Sequence, residues 1–397
     1  MSRWRRLTKV SGLAVGTVAA GAGALFAAEK IIVGRQRLRP DPAAGEPLGQ
    51  VRGRPLTVLA DDGVPLHAEI SGPDDAPVTI IFSHGYCLSQ DCWHFQRQAL
   101  AASGARLVCW DQRGHGRSGR RPAGPEAADT APPGPAAGGT APAGPAAGDA
   151  APAGSGAAGP PPVSIAQLGA DLGAVLAATA PGDTPVLLAG HSMGGMTIMA
   201  LAACQPELFG TKVIGTVLVS TAASGIDPVS WLPAPLRPVA RQAGPSLLRG
   251  ASRSRMAALV ERARRAGGDV AFLSTRYLAF GDPDVSPAIV DFLERIIRAT
   301  PVEVIAQFYL ALVDHDQRAA LGALGQAPAI VLIGDQDRLV APRQAGELAA
   351  AIPGAELITV PGAGHVLILE RPDIVTGAIT GLLDRVLPLP GSQPRPA

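Results

Sequence analysis

The chain has 397 residues, 47% of them hydrophobic and 17% charged, with a formal net charge of +1. That apolar content excludes an intrinsically disordered chain, and the balanced charge leaves no basic field for nucleic acid and no acidity for cationic partners. Length admits two average domains or one α/β domain carrying an inserted subdomain.

Arg3, Arg5, Arg6 and Lys9 precede an uncharged run over residues 10–28, which ends at Glu29 and Lys30. A helix of that length just spans a bilayer's hydrocarbon. The run is mostly Gly and Ala, and Lys30, Arg35, Arg37 and Arg39 follow it, so the positive-inside rule assigns it no orientation. Segment 1–30 fits an uncleaved membrane anchor, an export signal led by Arg5-Arg6, or a soluble helix. The first two readings make the protein membrane-associated through residues 10–28, or exported. Residues 31–53 read as a linker to a folded domain over 54–388.

Thr57 to Ala60, and the alternating Val64, Leu66, Ala68 and Ile70, flank Asp62-Gly63, a dipeptide suited to a tight hairpin. Continuous apolar runs of strand length follow at 78–82, 107–110, 185–188, 213–219, 329–333 and 357–360, each rich in β-branched residues. Between them lie helical patterns. Ile165, Leu168, Leu172, Val175 and Leu176 share one face, behind Ser164 as N-cap with Gln167 as capping-box partner. The alternation predicts a mostly parallel sheet with helices on both faces and an antiparallel pair at its start.

Two stretches depart from this pattern. Residues 121–163 are dominated by Ala, Pro and Gly, which cannot pack a core and read as a flexible, disordered insertion. The Pro-rich tail 389–397 reads likewise. Cys87, Cys92, Cys109 and Cys204 form no CxxC pair and no zinc-spaced cluster, and read as small buried apolar residues. Of these, only Cys87 and Cys92 lie close enough in sequence to suggest a bridge.

In open α/β sheets ligands sit at the carboxyl ends of strands. Three of those ends carry chemistry here. Gly190-His191-Ser192-Met193-Gly194-Gly195 places G-x-S-x-G between a strand and a helix, a turn that exposes the serine hydroxyl. A serine hydroxyl is a weak nucleophile until a base takes its proton, and an acid must hold that base in the right tautomer. Asp335 and Asp337 follow the 329–333 strand and compete for the acid's role. His365, after the 357–360 strand, is the only histidine downstream of Asp337, as the order serine, acid, histidine requires.

These residues resemble the α/β-hydrolase superfamily over nearly the whole chain, from about Arg54 to Val386. Ser83-His84-Gly85-Tyr86 is similar to its HG-x turn and Asp111-Gln112-Arg113-Gly114-His115-Gly116 to its turn after the fourth strand. Gly334-Asp335-Gln336-Asp337 and Gly362-Ala363-Gly364-His365 resemble its acid and histidine turns. The resemblance implies a mostly parallel eight-stranded sheet and a helical cap over 222–321. It implies a triad of Ser192, Asp337 and His365, with Asp335 shaping the turn. The backbone N–H groups of Tyr86 and Met193 would then form the oxyanion hole. It calls for no cofactor and no metal. The long insertion is a departure from the family pattern and is expected to emerge at the rim of the site.

His84, His115 and His191 read as structural supports, and Asp314-His315-Asp316 as a charged helix end rather than a metal site. Within the cap, residues 256–266 and 287–299 are helical in pattern, and residues 237–265 carry eight arginines against Glu261. That run fits a solvated basic face or a contact with anionic lipid. Trp231, Phe272, Tyr277, Phe280, Phe308 and Tyr309 are candidates for an apolar acyl pocket, but core packing is the commoner fate of such residues. The expected activity is cleavage of a small-molecule carboxylic ester, with thioester, C–C, perhydrolytic or acyl-transfer chemistry as alternatives. A membrane-tethered binding protein without catalysis is the reading from another class.

Overall fold

The computed structural model describes residues 33–35, 38–120, 163–225 and 268–387, with Pro238 and Arg262 singly. The run at 10–28, insertion residues 121–162, the basic stretch 239–261, Trp231 and the tail therefore lie outside the described residues. In chain order the strands are β1 (Arg54–Leu59), β2 (Pro65–Ser71), β3 (Thr79–Ser83), β4 (Arg106–Trp110), β5 (Val186–His191), β6 (Val213–Val219), β7 (Ala329–Gly334) and β8 (Glu356–Val360). The first helices are α1 (His94–Leu100), α2 (Ile165–Thr179) and α3 (Met193–Cys204). Then follow α4 (Gly268–Ala279), α5 (Pro287–Ala299), α6 (Val302–Val313) and α7 (Leu321–Leu324). The chain closes with α8 (Pro342–Ala351), α9 (Leu367–Glu370) and α10 (Pro372–Val386).

The strands form one eight-stranded sheet in the order β1-β2-β4-β3-β5-β6-β7-β8. β3 to β8 run parallel, while β2 lies antiparallel to both β1 and β4. The chain steps from β3 to β4 on one side, then crosses to β5 on the other, so the sheet has its switch point between β3 and β5. Ligands of open α/β sheets bind at such a point.

Alternate residues of the central strands feed two cores. Ile81, Leu188, Leu218 and Val331 pack with α2 and α3 on one face. Phe82, Leu187, Val217 and Ile330 pack with Trp93, Leu100 and α10 on the other. Strands buried on both faces must be apolar throughout, which is why these segments read as unbroken hydrophobic runs. The hairpin is looser than the Asp62-Gly63 signal suggests: β1 ends at Leu59 and β2 starts at Pro65, with Gly63 at φ 80° in the connection. The capping box of α2 is half formed. Ser164 Oγ accepts from Gln167 N at 3.2 Å, but the Gln167 amide reaches Asp61 at 3.1 Å instead of returning to the cap. Cys87, Cys92 and Cys109 are buried free thiols, whereas Cys204, at the end of α3, is exposed, contrary to the expectation of burial.

Between β6 and β7 the chain leaves the sheet, and α4, α5 and α6 belong to this excursion. Its base is stitched by Gln317 N donating to Ala223 O at 2.8 Å. Residues 38–53 grip it from outside. Asp41 Oδ2 accepts from Ala288 N at 3.0 Å and Oδ1 from the Ser286 hydroxyl, capping α5 where no local side chain does. Arg39 donates to Pro283 O at 2.7 Å, and Glu46 meets His94 of α1 at 2.9 Å. Among the described residues no single helix is long and apolar enough to cross a membrane. α5 and α6 together pass by length and composition but are bent by 94°.

Candidate active site

Ser192 sits between β5 and α3 with φ 52° and ψ −115°, a conformation that costs a non-glycine residue about 1–3 kcal/mol and persists only where the surroundings impose it. They do so here. Its N–H donates to Val219 O at 2.8 Å, and its carbonyl accepts from the Thr221 hydroxyl at 2.8 Å and Gly195 N at 2.9 Å. A Cβ at Gly194 would strike the Ser83 carbonyl oxygen, so only glycine lets the elbow press against the end of β3.

Asp337 lies in the turn after β7. Its Oδ1 accepts from Leu339 N at 2.8 Å and Val340 N at 2.9 Å, which leaves Oδ2 to take His365 Nδ1 at 2.9 Å. Both side chains are nearly enclosed, at 0% and 7% exposure, so the pair is shielded from competing water. Asp335 instead accepts from Gly362 N at 2.7 Å, joining the turns after β7 and β8. The backbone oxygen of His365 accepts from His191 Nε2 at 3.0 Å. Burial holds His191 neutral by pushing its pKa down to about 3.

Tyr86 follows β3, and its hydroxyl donates to Ile305 O of α6. A Cβ at Gly85 would lie 2.7 Å from His191 Nδ1, so this turn and the Ser192 turn can touch only with glycine there. His84 accepts Gln112 N at 2.9 Å on Nε2 and donates from Nδ1 to Gly85 O at 2.8 Å. His115 donates to Arg113 O at 3.0 Å and accepts from Cys87 N at 3.3 Å. Burial lowers both pKa values, His115 to about 4, as befits neutral braces of the loop. Met193 is the first residue of α3, where a backbone N–H has no partner within the helix.

Ser192, His365, His191 and Tyr86 line one cavity of about 360 Å³. Its remaining walls are apolar, chiefly Leu88, Met196, Leu293, Ile297, Leu312 and Val340. Of the aromatic candidates Tyr309 lines it, while Phe272, Phe280 and Phe308 are buried in the core and Tyr277 is 58% exposed beneath the Arg338 guanidinium. His315 is buried with Nε2 on Ala222 O at 3.1 Å, and Asp316 pairs with Arg318. Among the described residues no three His, Cys, Asp or Glu side chains gather as a metal cage.

Glu370 was not visible as a site residue in the sequence. Its carboxylate accepts from Gly364 N at 2.7 Å, Gly281 N at 2.9 Å and Asp282 N at 2.6 Å, clamping the histidine turn to the segment after α4. The only local signal is its place five residues after His365.

A mostly parallel sheet with serine, aspartate and histidine after β5, β7 and β8 is the architecture of the α/β hydrolases. The chain belongs to that family: residues 78–372 match the model described as alpha/beta hydrolase fold. It is 28% identical over 225 residues, 56% of this chain and 76% of the relative, to a pimeloyl-[acyl-carrier protein] methyl ester esterase of Stenotrophomonas maltophilia. It is 48% identical over 61 residues, 15% of this chain and 22% of the relative, to a bifunctional esterase/perhydrolase of Acinetobacter calcoaceticus. A thermophilic esterase from Thermogutta terrifontis superposes with TM-score 0.59 at 20% identity, covering 84% of this chain and 98% of that one. An enol-lactonase from Burkholderia xenovorans superposes with TM-score 0.58 at 22% identity, covering 83% and 99%. These two likenesses are of fold. Hydrolase family and esterase-named relatives together make the chain an enzyme.

Proposed function

We propose that the protein is a serine hydrolase that cleaves small carboxylic esters with an apolar acyl group through an acyl-enzyme. The observation that carries the reading is the His365 Nδ1 to Asp337 Oδ2 bond of 2.9 Å, on a histidine that lines the same cavity as Ser192. With Nδ1–H directed at Asp337, the neutral imidazole keeps Nε2 unprotonated and able to act as base. His365 takes the Ser192 proton as Oγ attacks the ester carbonyl, and the backbone N–H groups of Tyr86 and Met193 receive the developing oxyanion. His365 then protonates the departing alcohol and, in the second half, activates the water that releases the acid.

The aliphatic walls favour an apolar acyl group, and about 360 Å³ is near the lower end of the ~300–1,000 Å³ usual for ligand pockets, which favours short to medium chains. Full-length protein assayed on p-nitrophenyl esters of increasing acyl length, beside Ser192→Ala, tests this. Turnover with a short-to-medium optimum that falls about a million-fold in the variant is expected. Equal turnover by both proteins would sink the nucleophile assignment.

A second reading, perhydrolysis, rests on the match to the bifunctional esterase/perhydrolase. Hydrogen peroxide would replace water on the same acyl-enzyme and release a peracid, which an assay of acetate with peroxide detects. For location, the apolar run at 10–28 supports attachment to a membrane or export. Fractionation of cells expressing the full chain, before and after deletion of residues 1–30, separates the two. An unchanged soluble distribution would refute both.

A further inference from the structure

α5 is a partition. Leu293 and Ile297 face the Ser192 cavity, while Phe292, Arg295, Ile296 and Ala299 face a second cavity of about 420 Å³ on the other side. Leu88 is common to both. The second cavity is built from residues 48–52, the loop after β3, the loop after β4 and α5, so four separate parts of the chain converge on it.

Its character is the opposite of the first. Arg52, Arg117 and Arg295 line it against two carboxylates, Asp91 and Asp111. Neither carboxylate is available to the third guanidinium. Asp91 is held by Arg52, whose two terminal nitrogens reach its two oxygens. Asp111 is 1% exposed and accepts from Gln90 N at 2.8 Å and Arg117 N at 2.9 Å. Arg117 is held at one nitrogen by the buried Glu69, which Arg97 also binds, and is half exposed. Arg295 is exposed, lies 5.5 Å from the centroid of the Phe292 ring and makes no ion pair among the described residues.

We infer that this second cavity is a binding site for a small organic anion, whose carboxylate or phosphate oxygens are taken by the Arg295 guanidinium with Arg52 and Arg117 beside it. A guanidinium fork matches either group with paired N–H···O bonds, and the Arg295 guanidinium lies over the Phe292 ring at the wall of the cavity. The volume admits a molecule of metabolite size.

Isothermal titration of the full-length protein with succinate and with inorganic phosphate, at matched ionic strength, tests the site without using ester turnover. The outcome is therefore independent of the Ser192 reading. Saturable binding of one equivalent is expected for at least one of the two, weakened about tenfold or more in Arg295→Ala and partly retained in Arg295→Lys. Preference for succinate identifies a carboxylate ligand and preference for phosphate a phosphate ester. Absence of saturable binding for both, or binding that Arg295→Ala leaves unchanged, overturns the proposal.

Discussion

Replacing Asp337 by asparagine keeps the shape of the site and reverses one polarity. Oδ1 accepts from the N–H groups of Leu339 and Val340, and Oδ2 from His365 Nδ1. An asparagine must turn its carbonyl oxygen toward the two N–H groups, because an amide nitrogen there would leave both without an acceptor, at about 1–3 kcal/mol for the buried Val340 N–H alone. Its NH2 then faces Nδ1, which must accept, so the imidazole proton moves to Nε2. That is the nitrogen required to take the Ser192 proton. A wrong tautomer of this kind lowers kcat by about 10⁴-fold, equivalent to about 5.5 kcal/mol of barrier. The assay is kcat on the best p-nitrophenyl ester for wild-type protein and Asp337→Asn, with matching circular dichroism and urea midpoints to show that both are folded. A folded variant within tenfold of wild type would refute the role given to Asp337 and return Asp335 to consideration.

Gly194→Ala gains about 1 kcal/mol of helix propensity but drives a methyl group into Ser83 O, an overpacking that costs about 1–3 kcal/mol. The clash wins, and a lower urea midpoint with slower labelling by a serine-directed fluorophosphonate is expected. Glu370→Ala strips three backbone N–H groups of their acceptor, so it should destabilise by about 3 kcal/mol or more, and Glu370→Gln, which keeps one acceptor oxygen, by less. Equal urea midpoints for the two would refute the clamp. Burial depresses the His115 pKa to about 4 from 6.5, so below pH 6.5 the unfolded chain binds the proton that the folded one refuses. Its contribution is complete above pH 6.5 and lost as pH falls toward 4, which amounts to about 2 kcal/mol at pH 5. Asp111, raised by burial to about 6, acts in the opposite sense. The difference in urea stability between pH 7 and pH 5 should therefore be compared with that of His115→Gln, where the Asp111 effect cancels. Wild type should lose about 2 kcal/mol more than the variant, and identical losses would show that His115 is not buried neutral.

The parts of the fold legible in sequence are those governed by near neighbours. Strand β6 (Val213–Val219) and helix α5 (Pro287–Ala299) fall where their patterns place them, because an unbroken apolar run and a proline-started amphipathic stretch each report their own burial. Edge strand β8 is less clean: it opens on exposed Glu356 and Leu357, one residue before the apolar run. The candidate triad was legible for the same local reason, since each member sits in a short turn after a strand. Residues that work through distant contacts were not. Glu370 and Gly281 are 89 positions apart, and Asp41 and Ala288 are 247 apart. Periodicity cannot pair such positions. Most of the aromatics took the commoner fate of such residues, core packing, because composition marks a side chain as apolar without saying which wall it faces. Phe272, Phe280 and Phe308 went to the core, leaving aliphatic Leu293, Ile297 and Leu312 to shape the cavity.

The grip of Asp41 and Arg39 on the start of α5 makes the upstream chain a handle on the roof of the Ser192 cavity. Val33, upstream of that grip, is buried in the same core cluster as Phe292, Leu293 and Ile296 of α5, so the upstream chain is tied to this side of the molecule twice. A chain begun at the first strand would lack these ties, and a hydrolase measured that way would be an enzyme with its ceiling unpinned.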